Sequence, residues 1–284
     1  MNIEKRIQLC KNFTPIEIQI SHYILNHKDM ILNMTIEDFS KEIFTSKSTI
    51  HRFCKKINLN GFNDLKVALA KNQHHSFKHE QVDVNYPFKI NDTTKDISLK
   101  LTQIYELAIK DTFEVIDQNE LYKISKLLHQ AQLIDIYTSS HNSHVAYNFQ
   151  DKMLSIGRIV NCPQSEHMNY IALASNEKHV AIIISYSGKA TYIPTIIEIL
   201  SKRKTPIILI SKIGNNFYPQ YITYHLGMSD QENVRDHTSE FASHIALQYM
   251  LDVIFACVYH LDLDKNNKYL KEYIRYTDDR NLDE

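Results

Sequence analysis

A chain of 284 residues, 43% hydrophobic and 23% charged, is long enough for two domains and has the composition of a globular protein. Its four cysteines, Cys10, Cys54, Cys162 and Cys257, are widely scattered, which argues against a disulfide framework and against a zinc site. The net charge of −1 conceals an asymmetry: residues 1–77 carry eleven Lys/Arg against seven Asp/Glu, a net of +4, and the remainder 21 against 26, a net of −5. A mildly basic head on an acidic body is the balance of a nucleic-acid-binding unit joined to something else.

Met1–Lys11 lacks the apolar core of a secretory signal. No apolar run is expected to reach the ~18–20 residues that span a bilayer. The expectation is therefore a cytoplasmic protein with no membrane partner. His74, His75 and His79 lie in a polar stretch without HExxH or finger spacing, so they read as solvated histidines near a linker. No metal and no cofactor is expected.

The first segment reads as short helices. Thr14-Pro15-Ile16-Glu17 is a helix start, with Thr as N-cap, Pro at the first helical position and Glu three residues on. Ile16, Ile20, Tyr23 and Ile24 then supply an apolar face. A second helix starts at Thr35, with Asp38 near its free N–H groups and Ile36, Phe39 and Ile43 inward. A third begins near Ser46 and buries Ile50, Phe53, Cys54 and Ile57. Asn60-Gly61 ends that unit, and a fourth helix runs from about Asn63 with Leu65 and Leu69 inward. Residues 72–95 are polar and aperiodic and read as a linker. A helical pattern returns from Ile97 to about Ile116.

Beyond it, strand and helix signals alternate. Strands are expected at Leu133–Tyr137, Arg158–Asn161, His179–Ser185, Pro206–Ser211 and Ile222–Leu226, with helices between them and a long last helix from Thr238 to about His260. Repeated β-α units with β-branched apolar strands imply a doubly wound parallel sheet. The fold class is thus α/β, an all-α head followed by a doubly wound parallel-sheet domain. The expected domains are 1–77, a linker 78–96, 97–262 and a C-terminal tail 263–284.

Thr35–Phe44 and Ser46–Ile57 have the dimensions of a helix-turn-helix. With Ile50, Phe53, Cys54 and Ile57 inward, Ser48, Arg52 and Lys55 point outward, flanked by His51 and Lys56. Ser46, Lys47, Ser48, Thr49, His51, Arg52 and Lys55 are then the candidate DNA contacts. Short hydroxyl side chains and Arg can read base edges, and basic groups take phosphates. Ser46 at the N-cap can instead hold a phosphate at the helix N-terminus. Such residues belong equally to any solvated helix face, and spacing leaves both readings open.

Residues 1–77 resemble the N-terminal domain of the RpiR family of regulators. The specific parts are Ser46-x-Ser48-Thr49-Ile50-x-Arg52-Phe53 and Gly61-Phe62-x-x-Leu65-Lys66. One departure is Phe44-Thr45, where that family often has a small residue and Val.

Two hydroxyl-rich loops leave strand ends: Thr138-Ser139-Ser140-His141-Asn142-Ser143 and Ser185-Tyr186-Ser187-Gly188-Lys189-Ala190-Thr191. Ligands of open parallel sheets bind at such ends, and each loop precedes a helix whose N–H groups face an anion. Ser139, Ser140, Asn142, Ser185, Ser187, Gly188 and Thr191 are the candidate ligand contacts. The serines also fit ordinary N-caps. Residues from about 100 to 262 resemble a sugar isomerase (SIS) domain, and Ser185-Tyr186-Ser187-Gly188 matches part of its signature. By that resemblance Ser140, Ser185 and Ser187 contact the phosphate of a phosphosugar. Two departures stand out: Thr138 replaces a usual glycine, and Ala190 stands where a Thr or Ser is usual, with Thr191 one place later.

The resemblance implies a regulator of sugar metabolism genes that binds a double-stranded operator, responds to a phosphosugar and forms a homodimer or homotetramer. It is expected not to be an enzyme. The alternative is a phosphosugar isomerase, for which Glu240 and His237, or Glu166 and His167, are the candidate bases.

Overall fold

The computed structural model of the protein describes Ile7 and residues 13–76 and 82–278. Cys10, His79, the side chains of His74 and His75, and Met1–Lys11 apart from Ile7 lie outside the described residues. The chain divides into two compact units, residues 1–82 and 83–284.

The first unit is helical. Helix α1 (Pro15–Asn26) starts where expected, and the Thr14 N–H donates to Glu17 Oε2 at 2.7 Å. A short helix, α2 (Lys28–Asn33), follows. Helix α3 (Ile36–Glu42) is closed by Thr35 and Asp38 reciprocally: the Thr35 N–H donates to Asp38 Oδ2 at 3.1 Å, and the Asp38 N–H donates to the Thr35 hydroxyl at 3.2 Å. In α4 (Lys47–Lys56) the Thr49 N–H donates to the Ser46 cap at 3.1 Å. Helix α5 (Phe62–Ser76) begins one residue before the expected Asn63 and adds Phe62 to the core. Ile20, Ile24, Phe39, Ile43, Ile50, Phe53, Cys54, Ile57, Leu65 and Leu69 are all buried together. A side chain such as Phe39 or Phe53 gains roughly 1.5–3 kcal/mol by complete burial. Burial also pushes the Cys54 thiol up to about 12, which leaves it inert.

The second unit opens with an irregular segment, residues 83–93, and helix α6 (Thr94–Val115), which starts earlier than the expected Ile97 because Thr93 and Asp96 form another reciprocal cap. Residues 83–96, read from their polarity as linker, thus belong to this unit. Then come α7 (Gln118–Gln130), β1 (Leu133–Tyr137), α8 (Asn142–Leu154), β2 (Val160–Asn161), α9 (Met168–Ala174), β3 (His179–Ile184), α10 (Ile193–Lys202), β4 (Ile207–Lys212), β5 (Tyr224–Met228), α11 (Phe241–His260) and α12 (Leu263–Thr277). Of the residues expected as a tail, Leu263–Thr277 form α12, whose Asn266 is buried and donates to the Tyr259 carbonyl at 2.9 Å.

All five strands run parallel in the order β2-β1-β3-β4-β5. Alternate strand residues feed two cores. Ile134, Ile136, Ile182, Ile184, Ile208 and Ile210 pack with α7, α8 and α11 on one face. Tyr137, Ala181, Ile183 and Leu209 pack with α9 and α10 on the other. Burial on both faces is why these strands read as unbroken apolar runs. Helix α11 is long and apolar enough by composition to cross a membrane. Here it lies in the core of this unit, with Ala246, Leu247, Met250, Leu251 and Ile254 buried against the sheet.

Candidate functional site

In the first unit, α4 presents the expected split. Ile50, Phe53 and Cys54 are buried, and Ser46, Lys47, Ser48, His51, Arg52 and Lys55 are exposed. Thr49 is half-buried. The hydroxyls of Ser46, Ser48 and Thr49 form a local cluster, with Ser46 2.8 Å from Ser48 and 2.9 Å from Thr49. Arg52 Nη2 reaches the Thr49 hydroxyl at 3.4 Å, so the guanidinium is held near the N-terminal half of the helix. Lys47 is ion-paired with Glu37 of α3. Lys56 turns away from the outward face to meet Glu17 of α1 at 2.7 Å and lies over the Phe13 ring. The His51 ring lies against Gly61, where a Cβ would come within 2.7 Å of it. The turn before α4 holds Phe44 at a φ of 51°, with 91% of its surface exposed.

In the second unit the order 2-1-3-4-5 places the topological switch between β1 and β3, where the chain leaves toward opposite edges of the sheet. The two hydroxyl-rich loops begin there. Tyr137 pairs with Ile183 across the two strands, so the residues that follow are neighbours. The Ile184 carbonyl ties them together: the Thr138 hydroxyl donates to it at 3.3 Å and the Tyr192 hydroxyl at 3.0 Å. Thr138, a departure from the usual glycine, thus has a buried bridging role. Burial pushes the Tyr192 phenol above its ordinary value, so it remains a donor.

Ser140 is exposed and adopts a φ of 57°, and its carbonyl accepts from the Ser143 N–H at 3.1 Å to start α8. Ser139 and Asn142 are half-buried in the same turn. In the second loop Ser185 is buried, and its carbonyl accepts from the Gly188 N–H at 3.0 Å. The Ser187 hydroxyl accepts from the Lys189 N–H at 3.2 Å. Gly188 has a φ of 65°. Asn215 secures the loop from outside by donating to the Ser187 carbonyl at 3.1 Å. Thr191 is exposed one residue before Tyr192. Two cations that sequence reasoning passed over stand by this loop: Lys189, 4.8 Å from the Phe217 ring centre, and Lys212, 5.8 Å from that of Tyr186.

Beside the first loop is a cleft of about 230 Å³ lined by Tyr105, His141, Ser239, Glu240, Phe241 and His244. Glu240 Oε1 lies 3.7 Å from His141 Nδ1 and 3.8 Å from His237 Nε2. Of the sequence candidates for a base, Glu240 and His237 meet here. Glu166 and His167 are exposed on the turn before α9 and are not among the lining residues. Tyr105 and His244 carried no sequence signal, because each is a single polar side chain within a long helix, with no motif around it. The N-terminus of α11, beside the cleft, is capped from a distance: the buried Glu232 carboxylate accepts from the N–H groups of Ala242 and Ser243 at 3.0 Å each, and from the Ser243 hydroxyl at 2.5 Å. Among the described residues no group of three or more His, Cys, Asp and Glu gathers as for a metal ion.

Comparison with known proteins agrees with this division. Residues 1–76 match the helix-turn-helix domain of the rpiR family, and residues 127–256 match the SIS domain. An uncharacterized HTH-type transcriptional regulator of Caldanaerobacter subterraneus is 28% identical over 256 residues, 88% of each chain. The structure of the Vibrio vulnificus NanR protein complexed with ManNAc-6P is 20% identical, with a TM-score of 0.59 over 96% of this chain and 97% of that one. The sugar isomerase domain of an RpiR transcription factor from Sphaerobacter thermophilus is 10% identical, with a TM-score of 0.55 over 63% of this chain and 98% of that one. At these identities the two structures speak for the fold. Residues 1–76 thus form a helix-turn-helix domain of the rpiR family and residues 127–256 a SIS domain, the pairing of a sugar-phosphate-responsive transcriptional regulator.

Proposed function

We propose that the protein binds operator DNA through α4 and senses a phosphosugar at the switch point between β1 and β3, without turning it over. The observation that carries the sensing half is the pair of hydroxyl-rich loops, joined through the Ile184 carbonyl at the place where open parallel sheets bind ligands. Ser139, Ser140, Asn142, Ser185, Ser187, Gly188 and Thr191 would surround the phosphate, with the N-termini of α8 and α10 supplying positive dipole. The Vibrio vulnificus relative, complexed with ManNAc-6P, supports this class of ligand. Ser46, Lys47, Ser48, Thr49, His51, Arg52 and Lys55 would face the DNA from a head within residues 1–77. Two heads of a homodimer or homotetramer, working in the cytoplasm, would take two half-sites of a near-palindromic operator.

A thermal-shift screen against ManNAc-6P, glucose 6-phosphate, fructose 6-phosphate and their unphosphorylated sugars tests the sensor. A rise in Tm with a phosphorylated sugar only is expected. A flat response across the panel removes it. For the head, Arg52→Ala should cost about 1–3 kcal/mol on a specific site, and Lys55→Ala should weaken all sequences alike and reduce the salt slope by about 1. Unchanged binding by both variants contradicts the assigned face.

A second reading rests on the cleft. Glu240, set between His141 and His237, would be the general base of an isomerase. If the protein is an isomerase, hexose phosphates will be interconverted by the wild type and not by Glu240→Gln. No turnover by the wild type closes this reading.

A further inference from the structure

The second unit begins with a segment that neither half of this reading uses. Asp83 Oδ1 accepts from the N–H groups of Asn85 at 2.8 Å and Tyr86 at 3.2 Å, which fixes a turn. Val84 beside them is buried. Asn85 then grips residues 229–240, the irregular loop that joins β5 to α11, at two points. Its Oδ1 accepts from the Asn233 N–H at 2.7 Å, and its carbonyl accepts from the Thr238 N–H at 2.8 Å. The Tyr86 hydroxyl donates to Asp236 Oδ1 at 2.5 Å, and the Phe88 ring meets Phe241 edge-on at 6.0 Å.

The same loop is held from the ligand side. The Tyr186 hydroxyl, inside the Ser185–Gly188 loop, donates to the Glu232 carbonyl at 3.0 Å. The loop carries Ser239 and Glu240 to the cleft, with His237 Nε2 3.8 Å from Glu240 Oε1. The Ser229 N–H donates to the Thr112 hydroxyl of α6 at 3.1 Å. Residues 229–240 therefore touch the hydroxyl-rich loop through the Tyr186 hydrogen bond and residues 83–88 through three more. From residue 83 the chain leads directly back, through residues 77–82, into the unit that carries α4.

We propose that residues 83–88 are the output element of the ligand site, with Asn85 and Tyr86 as its positioning residues. A ligand seated against the Ser185–Gly188 loop displaces residues 229–240 through Tyr186 and Glu240. Asn85 and Tyr86 pass that displacement to the chain that leads to the DNA-binding head. The proposal rests on the DNA-binding, phosphosugar-sensing reading above. It assigns the coupling to a short hydrogen-bonded strap rather than to the long helix α6. Coupling between two sites is reciprocal, so DNA binding must also be felt at the loop.

The experiment uses the full chain and a duplex selected by the wild type from a random library. Hydrogen exchange at the Asn233 and Thr238 amides is compared in free and DNA-bound protein, for wild type, Asn85→Ala and Tyr86→Phe. The expected result is a bound-minus-free change in the wild type that is lost in Asn85→Ala while the duplex is still bound. No change in the wild type overturns the proposal, as does a full change in both variants. The phosphosugars of the thermal-shift panel give the second readout. A sugar that raises Tm equally in wild type and Asn85→Ala, but shifts DNA affinity roughly 5- to 150-fold in the wild type alone, supports the strap. An equal shift in both overturns it with the sensor reading intact. Failure of the wild type to retain any duplex sinks the DNA-binding reading itself, and the strap with it.

Discussion

The carbonyl oxygen of Asn215 occupies the space that a Cβ on Gly188 would need, 2.3 Å from where that carbon would lie. The obstacle is backbone and is itself held by the Asn215 side chain on Ser187, so it has little room to yield. Gly188 also has a φ of 65°, where a side chain costs about 1 kcal/mol. Gly188→Ala should therefore lose stability by about 2 kcal/mol or more and abolish the phosphosugar-induced rise in Tm. Denaturant titration and the thermal-shift screen measure both. A variant with wild-type stability and ligand response would show that the loop re-forms without glycine.

Ser140 offers a cleaner test of the same site. Its φ of 57° suits glycine, so Ser140→Gly removes the hydroxyl and relieves the backbone at once. The expected outcome is a protein at least as stable as the wild type that binds the phosphosugar less tightly, by about 1 kcal/mol for a lost neutral hydrogen bond and more if the acceptor is charged. Isothermal titration of wild type, Ser140→Gly and Ser140→Ala settles it. Equal affinity for all three would take Ser140 out of the site.

Phe44 combines two unfavourable features, a left-handed backbone and near-complete exposure of an aromatic ring. Phe44→Gly should raise the stability of the helical unit by about 1 kcal/mol, since the left-handed cost of an L side chain disappears. Chemical denaturation followed by helical circular dichroism reads this directly. A loss of stability would mean that the ring contributes packing that outweighs its backbone cost.

His129 gives a pH dependence with a definite sign. Burial, and next the Arg158 guanidinium that donates to its Nδ1 at 3.0 Å, hold the imidazole below its ordinary pKa. The unfolded chain takes up the proton near ~6.5 while the folded chain resists it. The stability due to neutral His129 is therefore present above about 6.5 and is lost as pH falls through the lower folded value. His129→Gln should show a smaller fall in Tm than the wild type between pH 7.5 and 5.5. Parallel falls would assign the acid sensitivity elsewhere.

What the sequence revealed follows from where its signals are local. Thr14, Thr35 and Ser46 each announce a helix through a cap and its partner within three residues, and all three helices start there. The strands β1, β3 and β4 are buried on both faces and show as apolar runs, so the doubly wound sheet was legible. Helix α7 was not recognised although its signal is local: Leu121, Ile124 and Leu128 recur at helical spacing behind the Asp117 cap, so this element was legible and was missed. Helix α12 was missed for a different reason: its one buried residue is the polar Asn266, so no buried apolar stripe announces it. The stretch 83–93 read as linker because its order comes from hydrogen bonds to residues some 150 positions later, which no local window contains.

The same limit applies to the candidate ligand site. Ser185-Tyr186-Ser187-Gly188 is contiguous and stood out, as did the serines after β1. The cleft draws Tyr105, His141 and His244 from three separate helices and loops, and only the fold brings them near Glu240. The position of Phe44 shows the reverse: its departure from the usual small residue was visible in the sequence, but its left-handed backbone was not.

The capping of α11 by Glu232 has an electrostatic consequence for any anion that approaches this unit. A helix N-terminus ordinarily attracts a phosphate, yet this one already holds a carboxylate in contact with two of its N–H groups, and Glu240 stands beside it. A dianionic phosphate brought there would meet like charge before it met a donor. The polar end of the unit is therefore divided by sign: the mouth of α11 repels, while the turns into α8 and α10, with Lys189 and Lys212 alongside the latter loop, are left to attract. Under the proposed function, a phosphorylated sugar entering this end would be oriented by charge alone, with its phosphate toward the serines and its neutral ring toward Glu240.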